Sequence, residues 1–127
     1  MIDFGKSLAS TLAPPAIIEL IGDVGAGKTT FTRGLATGLG VEEAITSPSF
    51  TISKTYAFPG GVLTHYDFYR LADPGLMQDD LQESIYEPHT ITVVEWADSV
   101  TDILPAKRLR LQITLNDDGS RTVRELA

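Results

Sequence analysis

The 127-residue chain has no cysteine, one tryptophan and two histidines. Without cysteine there are no disulfides and no thiolate metal sites, a composition that suits the cytoplasm. Neither histidine has a second ligand at metal spacing, so His65 is expected to be structural. No apolar run approaches the roughly 20 residues that span a bilayer. The opening "MIDFGKSLAS" lacks a basic segment followed by a long apolar one, so neither a secretory signal nor a membrane partner is expected. Basic residues are also scarce: 10 Lys and Arg stand against 17 Asp and Glu, a formal charge of −7. A chain this acidic has no overall basic face for duplex nucleic acid. Its cations concentrate late, at Lys107, Arg108, Arg110, Arg121 and Arg124, and read as the solvated face of a hairpin. Any RNA would be held mostly by a partner.

What is present is ordinary for a globular α/β domain: 43% apolar and 21% charged residues, with a length that suits one domain over 1–127. Phe4, Leu8 and Leu12 recur every four residues and predict a short helix before Pro14-Pro15. "AIIELIG" (16–22) reads as a buried parallel strand. Phe31, Leu35 and Leu39 mark a second helix that Gly40 can cap. Residues 42–50 read as a loop, and Phe50, Ile52, Tyr56 and Phe58 alternate as one arm of a hairpin turning at Pro59-Gly60-Gly61. Residues 62–70 form the other arm. Leu76, Leu81 and Ile85 then predict a helix, 90–96 a buried strand, and Leu109 to Leu115 a strand before an "NDDG" turn and a last strand near Val123.

Between the first strand and the second helix stands Gly22-Asp23-Val24-Gly25-Ala26-Gly27-Lys28-Thr29, a G-x-x-x-x-G-K-[ST] loop. Its glycines let backbone N–H groups turn inward into an anion nest at a helix N-terminus. The stretch Asp23, Val24, Gly25, Ala26 and Gly27 is therefore the expected phosphate cradle. Lys28 is placed to meet the β- and γ-phosphates, the Thr29 hydroxyl to ligate Mg²⁺, and Thr30 to touch the α-phosphate.

A metal site beside such a loop needs an acid at the end of a neighbouring strand. Glu95 in "TVVEW" fits best, with Asp67 in "HYDFYR" as the other candidate; an ordinary strand-end carboxylate, or a pair of Asp67 with Arg70 or His65, is the plainer alternative. Trp96 is either core or a nucleotide contact. Thr46 and Ser47 lie where other P-loop proteins sense the γ-phosphate, or in a plain connection.

With "GDVGAGKTTFTRGL", "SPSFT", "HYDFYRLADP" and "VVEWAD" in that order, the chain resembles the TsaE (YjeE-like) family. The resemblance covers nearly the whole chain and implies a P-loop NTPase-type three-layer fold with a mixed central sheet. It further implies a small Mg-dependent ATPase required for threonylcarbamoyladenosine modification of tRNA beside the anticodon. In that family the loop binds ATP, the positions matching Thr29 and Glu95 hold Mg²⁺, and the Asp67 position is implicated in activity. Trp96 then lies near the nucleotide, and two larger proteins of the threonylcarbamoyl-transfer complex act as partners, with tRNA met indirectly. Lys28, Asp67 and Glu95 form the expected catalytic set. The rivals are a small-molecule kinase, for which no arginine-rich lid is visible, and a nucleotide-sensing module with negligible turnover.

Overall fold

The computed structural model describes residues 2–23, 25–45, 53–68 and 76–126. Six strands form one sheet in the order β2-β3-β4-β1-β5-β6. The strands are β1 (Ala16–Ile21), β2 (Ser53–Phe58), β3 (Gly61–Asp67), β4 (Thr90–Glu95), β5 (Leu109–Leu115) and β6 (Arg121–Leu126). The four inner strands β3, β4, β1 and β5 run parallel, and the two edges are antiparallel hairpin arms. The sheet is therefore mixed, as expected.

The strand period of two sorts each side chain to one face. Ile18, Leu20, Leu63, Ile91, Val93, Leu111 and Ile113 join a core with Phe31, Leu35 and Ala36 of α2 (Lys28–Leu39). Tyr66 and Val94 point the other way, into a second core with Leu81 and Ile85 of α3 (Leu76–Ile85). A 3-10 helix over Ala97–Ile103, which the sequence pattern did not suggest, adds Ala97 and Val100 to that second core. Helices on both faces of the sheet make the three layers.

The first helix, α1 (Ile2–Ala9), lies against α2 at very close range. A Cβ at Gly38 would come within 2.7 Å of the Ala9 Cβ, and one at Gly5 within 2.5 Å of the Phe31 carbonyl. Any larger residue at these crossings would push the helices apart. Phe4 and Phe31 complete the contact, their ring centroids 5.7 Å apart. Helix α2 ends as its sequence predicts: Gly40, at φ 98°, donates to the carbonyls of Ala36 and Thr37.

Two boundaries differ from expectation. The second hairpin arm ends at Asp67, and the 90–96 strand ends at Glu95 because Trp96 adopts the left-handed conformation and turns the chain out of β4. Phe50, Ile52 and Arg70 lie outside the described residues, as do Val24, Thr46 and Ser47. The late cations are not a uniformly solvated face. Arg108 donates to Glu19 at 2.7 Å and to the Pro105 carbonyl at 2.9 Å, and the Arg110 guanidinium stands 3.4 Å from the same carboxylate. Glu19 is a buried acid on β1, and these cations offset its desolvation.

Candidate functional site

Strand β1 delivers Gly22 to the carboxyl end of the sheet, between the ends of β4 and β5. Parallel sheets bind ligands at this edge. Gly22 is there for close approach: a Cβ would meet the Ile113 carbonyl at 2.5 Å. Gly25 and Gly27 take φ of 84° and 112°, left-handed values that an L side chain resists. The Ala26 amide donates to the Asp23 carbonyl at 3.0 Å, closing the loop on itself.

Gly27 is also the N-cap of α2, and no side chain caps that end. Nor does an acidic residue stand in the first turn. The partial positive charge of the helix end is thus left for something other than the protein's own side chains. Thr29 and Thr30, both half-buried, lie in this first turn.

Lys28 is buried, an unusual state for an ammonium. It donates to the carbonyls of Gly22 and, at 3.2 Å, Asp23. Its Nζ also sits 4.1 Å from the centroid of the Trp96 ring, a cation–π contact. That contact gives Trp96 its place: a bulky residue held at φ 56°, immediately after the acid that ends β4. Burial lowers the Lys28 pKa from its ordinary 10.5, while the negative charges of Glu95, Asp67 and Asp23 oppose the shift.

The two acids converge because of register. Asp67 pairs with Glu95 across the parallel β3–β4 ladder, and Leu20 pairs with Glu95 across β4–β1. Leu63, His65 and Asp67 share a face of β3, as Ile91, Val93 and Glu95 share one of β4. Both carboxylates are buried, 6% and 3% exposed, on the face that α2 covers. Burying two carboxylates this deeply is costly unless cations or hydrogen bonds compensate. Lys28 is one such cation.

His65 is fully buried and donates from Nε2 to Oε2 of Glu95. The carboxylate is an acceptor, so the donor assignment to Nε2 follows. The expected alternative of a His65–Asp67 pair is therefore corrected: this imidazole serves Glu95. Residue type alone marks His65 as structural, but its partner lies 30 residues away in the chain. Its alternation with Asp67 in "HYDFYR" was the available signal. Arg33, one of the few central cations, donates to the Ile45 carbonyl at 3.3 Å and so holds the loop after α2.

Among the described residues no three His, Cys, Asp or Glu side chains cluster to enclose a metal, and no helix is long and apolar enough to cross a membrane. The site offers instead a few hard oxygens beside left-handed glycines and an uncapped helix start. That donor set fits Mg²⁺, which binds through one or two protein oxygens together with phosphates and water.

A family model described as TsaE, threonylcarbamoyl adenosine biosynthesis protein, matches residues 1–123. A tRNA threonylcarbamoyladenosine biosynthesis protein TsaE from Streptomyces coelicolor is 40% identical over 115 residues, covering 89% of this chain and 78% of its own. The protein of the same name from Haemophilus influenzae is 34% identical, covering 94% and 78%. The crystal structure of YdiB from Bacillus subtilis superposes with a TM-score of 0.80 at 34% identity, over 98% of this chain and 76% of that one. The chain belongs to the TsaE family of threonylcarbamoyl adenosine biosynthesis proteins.

Proposed function

We propose that this protein is the ATP-binding and ATP-hydrolysing component required for threonylcarbamoyladenosine modification of tRNA. In this reading residues 1–127 are a single P-loop ATPase domain, working in the cytoplasm with two larger partner proteins and meeting tRNA through them. The family supports the pathway. The observation that supports nucleotide chemistry is the buried Lys28, set between a helix end that no side chain caps and two buried acids at one register position.

On this proposal Lys28 exchanges its carbonyl partners, Gly22 and Asp23, for the more strongly charged β- and γ-phosphate oxygens. The cradle of Asp23, Val24, Gly25, Ala26 and Gly27 would take the β-phosphate on backbone N–H groups, the Ala26 amide exchanging the Asp23 carbonyl for a phosphate oxygen, and Thr30 would meet the α-phosphate. The Thr29 hydroxyl and the Glu95 carboxylate would hold Mg²⁺. When bound, the metal neutralises charge on the transferring phosphoryl group. His65 fixes one oxygen of Glu95, leaving the other as a donor. Asp67 orients the attacking water or couples hydrolysis to a partner. Trp96 borders the nucleotide through its contact with Lys28.

Among the described residues few further charged groups face the site, so turnover is expected to be low alone and to rise with the partners present. The test is ATP labelled at the γ-phosphate, incubated with and without the partner proteins and tRNA. The label appears as inorganic phosphate, faster with partners. Label transferred to a metabolite would instead identify a kinase.

A further inference from the structure

Arg121 opens the last strand, 95 residues beyond the loop, yet its Nε donates to the Ala26 carbonyl at 2.8 Å. Ala26 lies inside the G-x-x-x-x-G-K sequence. Because β5 runs parallel to β1, the β5–β6 hairpin tip sits at the same end of the sheet as the loop. That tip is stiff. Asn116 donates from its backbone to the Ser120 carbonyl at 2.7 Å and from its side chain to Ser120 and Thr122 at 3.0 and 2.9 Å. The Asp118 carboxylate accepts from the Ser120 hydroxyl and amide, and Gly119 supplies the left-handed turn residue. The same hairpin braces the start of the loop, where the Ile113 carbonyl allows only glycine at position 22.

A trans peptide points its C=O and its N–H in opposite directions. The Ala26 carbonyl and the Gly27 N–H belong to one such peptide. A guanidinium that holds the oxygen on the hairpin side therefore turns the Gly27 N–H to the opposite side. A charged donor also polarises the peptide and strengthens that N–H as a donor in its turn.

We infer that Arg121 is a positioning residue of the phosphate cradle: through the Ala26 carbonyl it aims the Gly27 N–H at the bound anion, so the C-terminal hairpin sets the loop's affinity for phosphate. This rests on the nucleotide-binding reading of the loop. Arg121 touches the loop from outside and is itself exposed. Its role differs from that of Lys28, which lies within the loop's own helix. The interaction is reciprocal, so an anion in the cradle tightens the hairpin as the hairpin tightens the cradle.

The test compares wild type, Arg121→Met and Arg121→Lys in the full chain, with two readouts. One is the Gly27 amide resonance in the ¹H–¹⁵N spectrum of the nucleotide-free protein. The other is affinity for ADP and for pyrophosphate by calorimetry. We expect the Gly27 resonance to move in both variants and both affinities to fall about tenfold, the effect of weakening one charge-assisted hydrogen bond. Arg121→Lys keeps the charge without the planar donor, and it carries the test if Arg121→Met does not fold. Wild-type affinity in Arg121→Lys would overturn the role by showing that charge alone matters. Reduced affinity with an unmoved Gly27 resonance would also overturn it, by pointing to a direct contact with phosphate. If the wild type binds neither ADP nor pyrophosphate, the nucleotide reading fails and this role with it. Wild-type binding that both variants retain overturns this role alone.

Discussion

Nε2 of His65 donates to Oε2 of Glu95, joining adjacent parallel strands through two fully enclosed side chains. Glu95 therefore reaches the site with one oxygen already fixed by the protein. The geometry depends on the β3–β4 register, which sets His65 opposite Val93 and Asp67 opposite Glu95. A one-residue slip would turn all of these groups to the other face.

Removing the imidazole leaves a buried carboxylate oxygen without its donor. His65→Ala should lower stability by about 2–3 kcal/mol, combining that penalty with the cavity left behind. Urea unfolding checks this, read as a fall in midpoint at an unchanged slope.

The two carboxylates should separate by function. Glu95→Gln retains an acceptor for His65, so it should fold, but its lost charge should weaken the Mg²⁺ dependence of ATP binding. Asp67→Asn should bind ATP nearly normally and turn over more slowly, as a role felt mainly in the transition state requires. ATP titrations at several Mg²⁺ concentrations, followed by turnover with partners, check both. If Asp67→Asn loses the Mg²⁺-linked binding and Glu95→Gln keeps it, the two roles are reversed.

Lys28 is held at a cost to the fold. Its native pKa is below the ordinary 10.5, so the unfolded chain binds its proton more tightly than the native one does. At neutral pH that difference destabilises the protein, and the penalty is relieved as pH rises through the lowered native value toward 10.5. Lys28→Met removes this penalty but also removes the cation that compensates Glu95 and Asp67, so the expected signature is the slope: wild type gains stability relative to the variant as pH rises from 7 toward 10.5. Thermal unfolding of both proteins across that range checks the sign.

Much of this architecture is legible in local pattern. The four-residue spacing of Phe31, Leu35 and Leu39 specifies α2, Gly40 ends it, and the run before Gly22 specifies the strand that carries the loop. These features depend on neighbours in sequence. Contacts that depend on strand order are not legible in this way. The His65–Glu95 bond needs β3 beside β4, the Glu19–Arg108 pair needs β5 beside β1, and the Arg121–Ala26 bond spans 95 residues. The late arginines accordingly read as solvated charges until the sheet brings them to their acceptors. The 3-10 helix after Trp96 is not legible for a related reason: its turn begins at a non-glycine residue in the left-handed region.

The central claim is that this loop binds ATP for tRNA modification, and the most direct measurement is threonylcarbamoyladenosine formation on tRNA in a reaction reconstituted with the partner proteins. Lys28→Ala removes the cation proposed to meet the β- and γ-phosphates. The account predicts that this variant keeps the wild-type circular dichroism spectrum and supports no modification. A folded Lys28→Ala protein that sustains modification at the wild-type level would contradict it.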